Sequence, residues 1–327
     1  MERLLSIQGG YGLDHDEKMK KLIEIMVPCY NEAESLPLFF KTVTAVIDKI
    51  EKYDFSFLFI DDGSSDNTLE IIKQIPPQWT KIRYVSLARN FGKEAAMLAG
   101  LDYTIGDAII IMDADLQDPP TIIPELVKAW EDGNEDVYAK RISREGESWL
   151  KKISSAMYYR ILQRLSDIEV LVDVGDFRLL DKKCVGALRN LREHNRYTKG
   201  LFCWIGFKKK QILYNRESRV AGSTHWNYWK LTKLAIDGIV SFSAVPLQLI
   251  ALLGGVISLA AIGFMLYVVI HTLLYGDPVA GYPSMMAIIL FMGGIQLIAL
   301  GVIGEYIGKI FSEVKNRPVY IVREQSN

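Results

Sequence analysis

The sequence predicts an α/β protein with a mostly parallel sheet, followed by a hairpin of two transmembrane helices. Short apolar runs alternate with helical segments four times between residues 22 and 131, as in the βαβ units that build parallel sheets. Two later segments, about 245–274 and 284–308, are almost free of charged residues. Each exceeds the roughly 18 apolar residues that indicate a membrane span. A hairpin buried in a protein core is the alternative interpretation of these two segments.

Composition excludes several classes of protein. The 327 residues carry a net charge of −1, so no bulk attraction to nucleic acid is expected. The three cysteines, Cys29, Cys184 and Cys203, are far apart and form no CxxC pair. This spacing predicts reduced thiols in a cytosolic domain rather than a disulfide framework or a zinc site. Residues 1–20 lack the apolar core of a secretory signal and are expected to form a poorly ordered arm.

The strands and helices of the α/β part follow in chain order. Strands are predicted over 22–28, 55–60, 82–87, 109–112 and, later, 172–180. Helices are predicted over 33–52, from Thr68 onward, within RNFGKEAAMLAGLDYT, and over 121–131. Three of the first four strands end in acidic or Asn-rich loops, whose residues favour turns and helix N-caps. These loops are expected to lie along one edge of the sheet, where ligands bind in α/β proteins.

The loop after the fourth strand, MDADLQDPP, has the most specific chemistry. Asp113 and Asp115 follow an apolar run and are two residues apart. Two carboxylates at the end of a buried strand are able to share a divalent cation, and Mg²⁺ or Mn²⁺ prefers oxygen ligands and bridges to phosphates. A solvated polar turn is the competing interpretation, because an isolated D-x-D is common by chance. Motifs elsewhere in the chain are needed to distinguish a metal site from a solvated turn.

Residues 144–165 interrupt the alternation and are predicted to form an amphipathic helix. Basic residues flank its apolar stripe, a pattern typical of a helix on an anionic membrane face, although an ordinary surface helix has the same pattern.

The link between the two spans has no Lys or Arg, whereas four basic residues follow the second span. By the positive-inside rule both chain ends are therefore expected in the cytoplasm.

These observations divide the chain into five predicted parts. They are an arm (1–20), a cytoplasmic α/β domain (21–225), a juxtamembrane segment (226–242), the two spans with their link (243–310) and a cytoplasmic tail (311–327). Gly304 and Gly308 in the second span form a GxxxG pattern, which permits close helix packing and predicts a homo-oligomer through the spans.

Five motifs carry a family resemblance. VPCYNE, FIDDGSSDNT, RNFGKEAAMLAG, MDADLQDPP and VGDFRLLDK occur in this order, and together they resemble the family 2 inverting glycosyltransferases, which have the GT-A fold. The polyisoprenyl-phosphate branch, which includes dolichol-phosphate mannose synthases and bactoprenol glucosyltransferases, is the most similar. RxxRxAG at 216–222 and LAIDGIVSFS before the hairpin resemble the bactoprenol type. STHW at 223–226 departs from the Lys-aromatic pair that relatives often carry there.

The resemblance implies an inverting, metal-dependent transfer of a hexose from a nucleotide sugar, such as UDP-glucose, to undecaprenyl or dolichyl phosphate at a bacterial inner membrane. It implies Mg²⁺ or Mn²⁺ as cofactor. The implied nucleotide-sugar-binding residues are Pro28, Tyr30, Glu32, Asp61, Asp62, Lys93, Asp113, Ala114 and Asp115. The implied metal ligands are Asp113, Asp115 and Gln117, the acceptor-phosphate ligands Arg141, Arg216 and Arg219, and the catalytic residues Asp176 and Arg178.

The chemistry of the acceptor limits what Asp176 has to do. A phosphate monoester has a second pKa near 6 and is largely a dianion at pH 7, so it needs cations to hold it more than a base to deprotonate it. We hypothesise that Asp176 orients and stabilises the positively charged reacting carbon. A processive polysaccharide synthase is an alternative, but the chain lacks the Q-x-x-R-W motif of such enzymes. An inactive membrane scaffold is a second alternative, which the intact acidic motifs disfavour.

Overall fold

The computed structural model describes residues 20–76, 81–142, 174–194, 196–215, 245–275 and 281–326. Three predicted segments fall outside these ranges: the arm up to residue 19, the amphipathic helix at 144–165 and the juxtamembrane segment at 226–242. The remaining elements of the α/β part and both apolar helices are described.

Within the described ranges, eight strands form one sheet. They are β1 (Leu22–Cys29), β2 (Asp54–Asp61), β3 (Ile82–Leu87), β4 (Ala108–Ile111), β5 (Asp136–Arg141), β6 (Val174–Asp181), β7 (Lys209–Tyr214) and β8 (Val322–Gln325). The helices are α1 (Leu36–Ile47), α2 (Thr68–Gln74), α3 (Lys93–Tyr103), α4 (Ile123–Glu131), α5 (Lys182–Asn190), α6 (Thr198–Trp204), α7 (Val245–Tyr275) and α8 (Tyr282–Val314). A single 3₁₀ turn, Pro120–Ile122, precedes α4.

The sheet has the order β7-β5-β6-β4-β1-β2-β3-β8 and is mostly parallel. Strands β4, β1, β2 and β3 are parallel neighbours, β6 is antiparallel to both β4 and β5, and β7 is parallel to β5. Six strands therefore point the same way, and only β6 and β8 run in the opposite direction. The prediction of an α/β fold with a mostly parallel sheet is confirmed, and one edge of the sheet collects six carboxyl ends and the amino ends of β6 and β8.

The central strands are apolar on both faces because helices cover both. Ile23, Ile25 and Val27 of β1 pack in the cluster that includes α1 and α4, whereas Met26 of the same strand packs in the cluster that includes α3, α5 and α6. Such continuous apolar strands are typical of parallel sheets buried on both sides. The tight packing around the central strands fixes the position of the loops at their ends.

Element boundaries differ most from prediction at α1. The predicted helix over 33–52 is observed as Leu36–Ile47. The segment before it forms a turn in which the backbone N–H groups of Ser35 and Leu36 donate to the carbonyl of Glu32. A proline lies in the first turn of α1, where its fixed φ and missing N–H are tolerated. The shorter helix leaves the Tyr30–Glu32 loop as irregular backbone at the edge of the sheet.

The tail predicted over 311–327 contains a strand of the sheet. Helix α8 runs to Val314, and β8 then pairs antiparallel with β3. The backbone of Ala88 donates to Ile321, and the ammonium of Lys73 lies 2.8 Å from Glu324. Local sequence did not reveal this strand, because an edge strand is specified by a partner that is distant in the chain.

The two apolar helices are long and exposed. The windows Leu247–Phe264 in α7 and Phe291–Val314 in α8 are long and apolar enough to cross a membrane, and neither is buried in the protein. This exposure excludes the alternative of a hairpin in a protein core. The two helices contact each other, and the chain after α8 returns to the sheet at β8.

Candidate active site

A cleft of about 290 Å³ opens at the edge where the parallel strands end. It is lined by Pro28, Cys29, Tyr30, Glu32, Asp62, Asn90, Gly92, Lys93, Ala96, Asp113, Ala114 and Asp115. These residues come from the ends of β1, β2 and β4 and from the start of α3. Eight of the nine residues predicted to bind the nucleotide sugar line this cleft, and Asp61 alone does not.

Asp61 instead holds the end of β2. Its side chain is buried, accepts a hydrogen bond of 2.7 Å from Ser86 Oγ of β3 and accepts one of 3.0 Å from the backbone of Ser64. The predicted contact of Asp61 with the ligand stays a prediction, since its side chain holds the strand end and does not line the cleft. Two adjacent aspartates point in different directions because side chains alternate along a strand end, and only Asp62 faces the cleft.

Asp62 fixes the loop that leads into α3. Its two oxygens accept from the backbone N–H groups of Phe91 (2.7 Å) and Gly92 (2.9 Å). Burial raises the pKa of Asp62, while these N–H groups and the guanidinium of Arg89 act in the opposite direction. Gly63 makes the approach of the loop possible, because it has a φ of +65° and a Cβ there would lie 2.4 Å from the carbonyl carbon of Arg89.

Replacing Gly63 with alanine is expected to lower the free energy of unfolding by about 2 kcal/mol, since it adds a left-handed non-glycine residue and a backbone overlap. Thermal unfolding of the purified protein in detergent measures the change. Gly186→Ala in α5 is the matched control, because its Cβ meets nothing within 4 Å and a helical alanine stabilises by roughly 0.5–1 kcal/mol. Equal melting of Gly63→Ala and wild type would contradict the close approach.

Lys93 is the central cation of the cleft. Its ammonium lies 2.7 Å from Asp113 Oδ1 and 2.7 Å from Asp176 Oδ2. Burial lowers the pKa of Lys93, but the two carboxylates outweigh burial and raise the pKa above its ordinary value. Lys93 therefore remains charged and links the loop after β4 to the start of β6.

Asp176 stays ionised for the same reason. Burial raises its pKa, but Lys93, Lys199 and Arg178 outweigh burial and lower the pKa to about 2. Its second oxygen, Oδ1, is buried and has no hydrogen-bond partner within the described part of the chain. A buried carboxylate oxygen without a partner is unusual, and here it lies beside the ammonium that faces the cleft.

Arg178, which was predicted as a catalytic residue, lies beneath the cleft and does not line it. The side chain is 1% exposed, and Nη1 lies 3.2 Å from both carboxylate oxygens of Asp136. Its guanidinium stacks over Phe202 of α6, 3.6 Å from the ring centroid. Alternation along β6 puts Arg178 on the same face as Asp176, but about 6.6 Å further from the edge. Arg178 therefore influences the site through its charge on Asp176.

Arg141 lies at the end of β5, at the same edge. Its Nε donates a hydrogen bond of 3.2 Å to the hydroxyl of Tyr214, which in turn donates to Asp118. Burial lowers the pKa of Arg141, but Tyr214 and Asp118 outweigh burial and raise the pKa above its ordinary value.

The sequence predicted Arg141 as a site residue, but it did not predict Tyr214 or the role of Asp118. The only signal for Asp118 was its position in the loop that carries Asp113. Arg216 and Arg219 lie outside the described residues.

The carboxylates of the acidic loop are too few to hold a divalent cation by themselves, but they suit a cation that a substrate also coordinates. Within the described ranges, no cluster of three or more His, Cys, Asp or Glu side chains is able to hold a metal ion. Asp113 and Asp115 supply two carboxylates beside the cleft, and Asp115 Oδ1 also accepts from the backbone of Gln117 at 3.1 Å. Mg²⁺ is commonly bound by one or two carboxylates plus substrate phosphates. The donor set matches that arrangement.

Comparison with known proteins assigns the fold to a family. Residues 24–188 match glycosyl transferase family 2, and the bactoprenol glucosyl transferase of Shigella phage SfII is 42% identical over 304 residues, 92% of this chain and 97% of that one. The chain belongs to glycosyl transferase family 2. Its mixed sheet is of the GT-A type, and residues 245–310 of this glycosyltransferase match the GtrB C-terminal hairpin.

Two other similarities cover most of this glycosyltransferase. The uncharacterized glycosyltransferase sll0501 of Synechocystis sp. is 44% identical over 302 residues, 92% of this chain and 95% of that one. The crystal structure of glucosyl-3-phosphoglycerate synthase from Mycobacterium tuberculosis with Mn²⁺, UDP and phosphoglyceric acid aligns with a TM-score of 0.49 at 17% identity, over 67% of this chain and 76% of that one. The resemblance inferred from the five sequence motifs is confirmed at the level of the family.

Proposed function

We propose that this family 2 glycosyltransferase transfers glucose from UDP-glucose, with inversion, to the phosphate of a membrane polyprenyl phosphate. The observation that carries the proposal is Lys93, whose ammonium contacts both Asp113 and Asp176. One cation thus connects the residues assigned to the diphosphate with the carboxylate assigned to the reacting carbon. The bactoprenol glucosyl transferases, at 41–42% identity, support polyprenyl phosphate as acceptor and glucose as the sugar.

The donor half of the site would hold the diphosphate by charge. Asp113, Asp115 and Gln117 would hold Mg²⁺ or Mn²⁺, which when bound neutralises the negative charge that develops on the diphosphate leaving group. Lys93 is the first residue of α3, so its ammonium and the N-terminal end of the helix both favour an anion at that point. Tyr30 and Glu32 would line the nucleotide side of the cleft.

The acceptor half would hold an anion that needs little activation. At pH 7 the lipid phosphate is largely a dianion, so the phosphate oxygen attacks the anomeric carbon from the face opposite the leaving diphosphate. Arg141 would hold that phosphate in line, because a guanidinium pairs well with phosphate oxygens. Arg216 and Arg219 are proposed to assist it.

Asp176 would stabilise positive charge at the anomeric carbon. A carboxylate with a pKa of about 2 is a weak base at neutral pH, since a general base works best with a pKa near the operating pH. A fixed negative charge beside a carbon that develops positive charge stabilises the transition state. We therefore assign Asp176 to electrostatic stabilisation and orientation, and Arg178 to holding the strand that carries it.

The hairpin would place this site at the membrane. Transfer of a polyprenyl chain into water costs roughly 0.8 kcal/mol per CH₂, so the protein has to meet the lipid phosphate at the bilayer surface. We propose that α7 and α8 anchor the domain on the cytoplasmic face of a bacterial inner membrane, because basic residues follow α8 and none lies in the link. Gly304 and Gly308 are proposed to mediate a homo-oligomer through the spans.

A donor panel tests the proposed function. Membranes that contain the full chain are incubated with a short polyprenyl phosphate, Mg²⁺ or Mn²⁺, and labelled UDP-glucose, UDP-N-acetylglucosamine or GDP-mannose. We expect a chloroform-soluble labelled product from UDP-glucose, and its loss in EDTA, because the donor set needs a cation to hold the diphosphate.

Three other outcomes would change the assignment. A lipid product from a different donor would contradict glucose and leave the reaction class intact. A labelled water-soluble polymer would favour a processive polysaccharide synthase of the same fold. The absence of any product with every donor and either metal would contradict the proposed function as a whole and favour an inactive scaffold.

A further inference from the structure

The hydrogen-bonded chain Asp118–Tyr214–Arg141 has no role in the donor half of the site. Tyr214 is the last residue of β7, Arg141 the last residue of the neighbouring strand β5, and the two are register partners. Asp118 belongs to the loop that follows β4 and carries the acidic pair. Three separate elements thus meet at one phenol hydroxyl, next to the acceptor half of the cleft.

Tyr214 is itself rigidly held. It is 3% exposed, its ring packs edge-on against Phe177 of β6 with centroids 6.4 Å apart, and its hydroxyl donates to Asp118. Because the hydroxyl proton is directed to Asp118, a lone pair of the oxygen faces Arg141 and accepts from Nε at 3.2 Å. Arg141 Nε is thereby fixed by a group that cannot rotate away.

The arrangement holds Arg141 through an uncharged group. Within the described residues no carboxylate forms an ion pair with Arg141, and its Nε partner is an uncharged phenol. The guanidinium also lies close to Gly175, where a Cβ would be 3.6 Å from Nη2. Gly175 directly precedes Asp176 in β6, so the guanidinium of Arg141 lies at the same end of β6 that carries Asp176.

We infer that Tyr214 is a positioning residue for the acceptor phosphate and acts by aiming the guanidinium of Arg141. The inference rests on the proposed function, in which Arg141 binds that phosphate. Tyr214 holds Nε, and the Nη groups would bind the phosphate oxygens. Asp118 orients the Tyr214 hydroxyl and links this arrangement to the loop that carries Asp113, so donor and acceptor halves keep a constant separation.

Tyr214→Phe tests the inference in the full-length protein in membranes. The ring and its packing on Phe177 remain, and only the hydroxyl is lost. We expect the KM for polyprenyl phosphate to rise about tenfold, in line with a hydrogen bond to a charged group, while the affinity for UDP in the presence of Mn²⁺ stays within about twofold of wild type. In an Arg141→Lys background, Tyr214→Phe should change the KM by less than about twofold, because lysine has no Nε–H for the phenol to hold.

Tyr320→Phe is the matched control. The hydroxyl of Tyr320 donates to Asp102 at 2.7 Å, and Arg192 pairs with the same carboxylate. The variant therefore loses the same type of hydrogen bond at a place remote from the cleft. We expect an unchanged acceptor KM. An unchanged KM in Tyr214→Phe, an equal rise in Tyr320→Phe, or an undiminished effect of Tyr214→Phe in the Arg141→Lys background would overturn the positioning role. A wild-type protein that forms no lipid product would instead overturn the proposed function, and the role of Tyr214 with it.

Discussion

Replacing Asp113 with asparagine is expected to reduce sugar transfer by about 10³-fold. The change removes one of the two carboxylates available to a divalent cation and one of the two partners of Lys93. Loss of a single group that stabilises developing charge typically costs 10²–10³ in kcat, and weaker metal binding adds to this loss. The measurement is the initial rate of labelled glucose transfer into the chloroform-soluble fraction at saturating Mg²⁺.

A second measurement distinguishes loss of the metal site from misfolding of the variant. Titration of Mn²⁺ in the presence of UDP should give a dissociation constant at least about tenfold higher for Asp113→Asn than for wild type. Asp132→Asn, an exposed carboxylate at the end of α4, is the control and should behave as wild type in both assays. Turnover of Asp113→Asn within a few-fold of wild type would contradict the role of the acidic loop.

Asp176→Asn is expected to lower kcat by about 10²-fold while UDP binding in the presence of Mn²⁺ changes by less than about threefold. Asparagine preserves the shape of the side chain and removes its charge, so the loss falls on the transition state rather than on donor binding. Transfer rates and isothermal titration with UDP measure the two effects. A kcat for Asp176→Asn within a few-fold of wild type would show that the charge at this position is not needed.

The pH dependence distinguishes stabilisation from base catalysis at Asp176. Its pKa is lowered to about 2 in the folded protein, below the ordinary value near 4. The stabilisation that it receives from Lys93 is therefore complete above about pH 4 and is lost as the pH falls toward 2. Between pH 5 and 9 no acid limb of kcat should arise from Asp176, and any limb near pH 6 should follow the phosphate of the acceptor.

A limb with an apparent pKa near 6 or 7 that disappears in Asp176→Asn would instead identify Asp176 as the general base. The two outcomes use the same pair of proteins and the same assay, so the comparison does not depend on absolute activity. Among the cations that keep Asp176 ionised, Lys93 has the largest effect, and its ammonium lies 2.7 Å from the carboxylate.

The strands of the sheet could be predicted because their signals are local. Residues 82–87 were predicted as a strand and are observed as β3 (Ile82–Leu87), and the first two strands end within one residue of their predicted limits. Apolar runs closed by turn residues are sufficient for this when a strand is buried on both faces. Strands β5, β7 and β8 were not predicted, since they lie toward the ends of the sheet and have mixed composition.

Most residues that line the cleft could also be predicted from the sequence. These residues follow the carboxyl ends of β1, β2 and β4, and parallel strands bring such ends together without further information. The exception is Asp61, whose neighbour Asp62 faces the cleft while Asp61 itself bonds to Ser86 and Ser64. Which of two adjacent acids faces a ligand depends on the pleat and on the strand next to it.

The sequence by itself determined the α/β class, the apolar hairpin, the family and the acidic loop at Asp113, because each depends on neighbouring residues in the chain. Only the tertiary structure decided that Arg178 is buried on Asp136, that Lys93 joins Asp113 to Asp176, and that Tyr214 holds Arg141. Arg141 and Tyr214 are 73 positions apart in the chain, and Asp136 and Arg178 are 42 apart. Contacts at such separations are set by the order of strands in the sheet, and no local pattern of residues encodes that order.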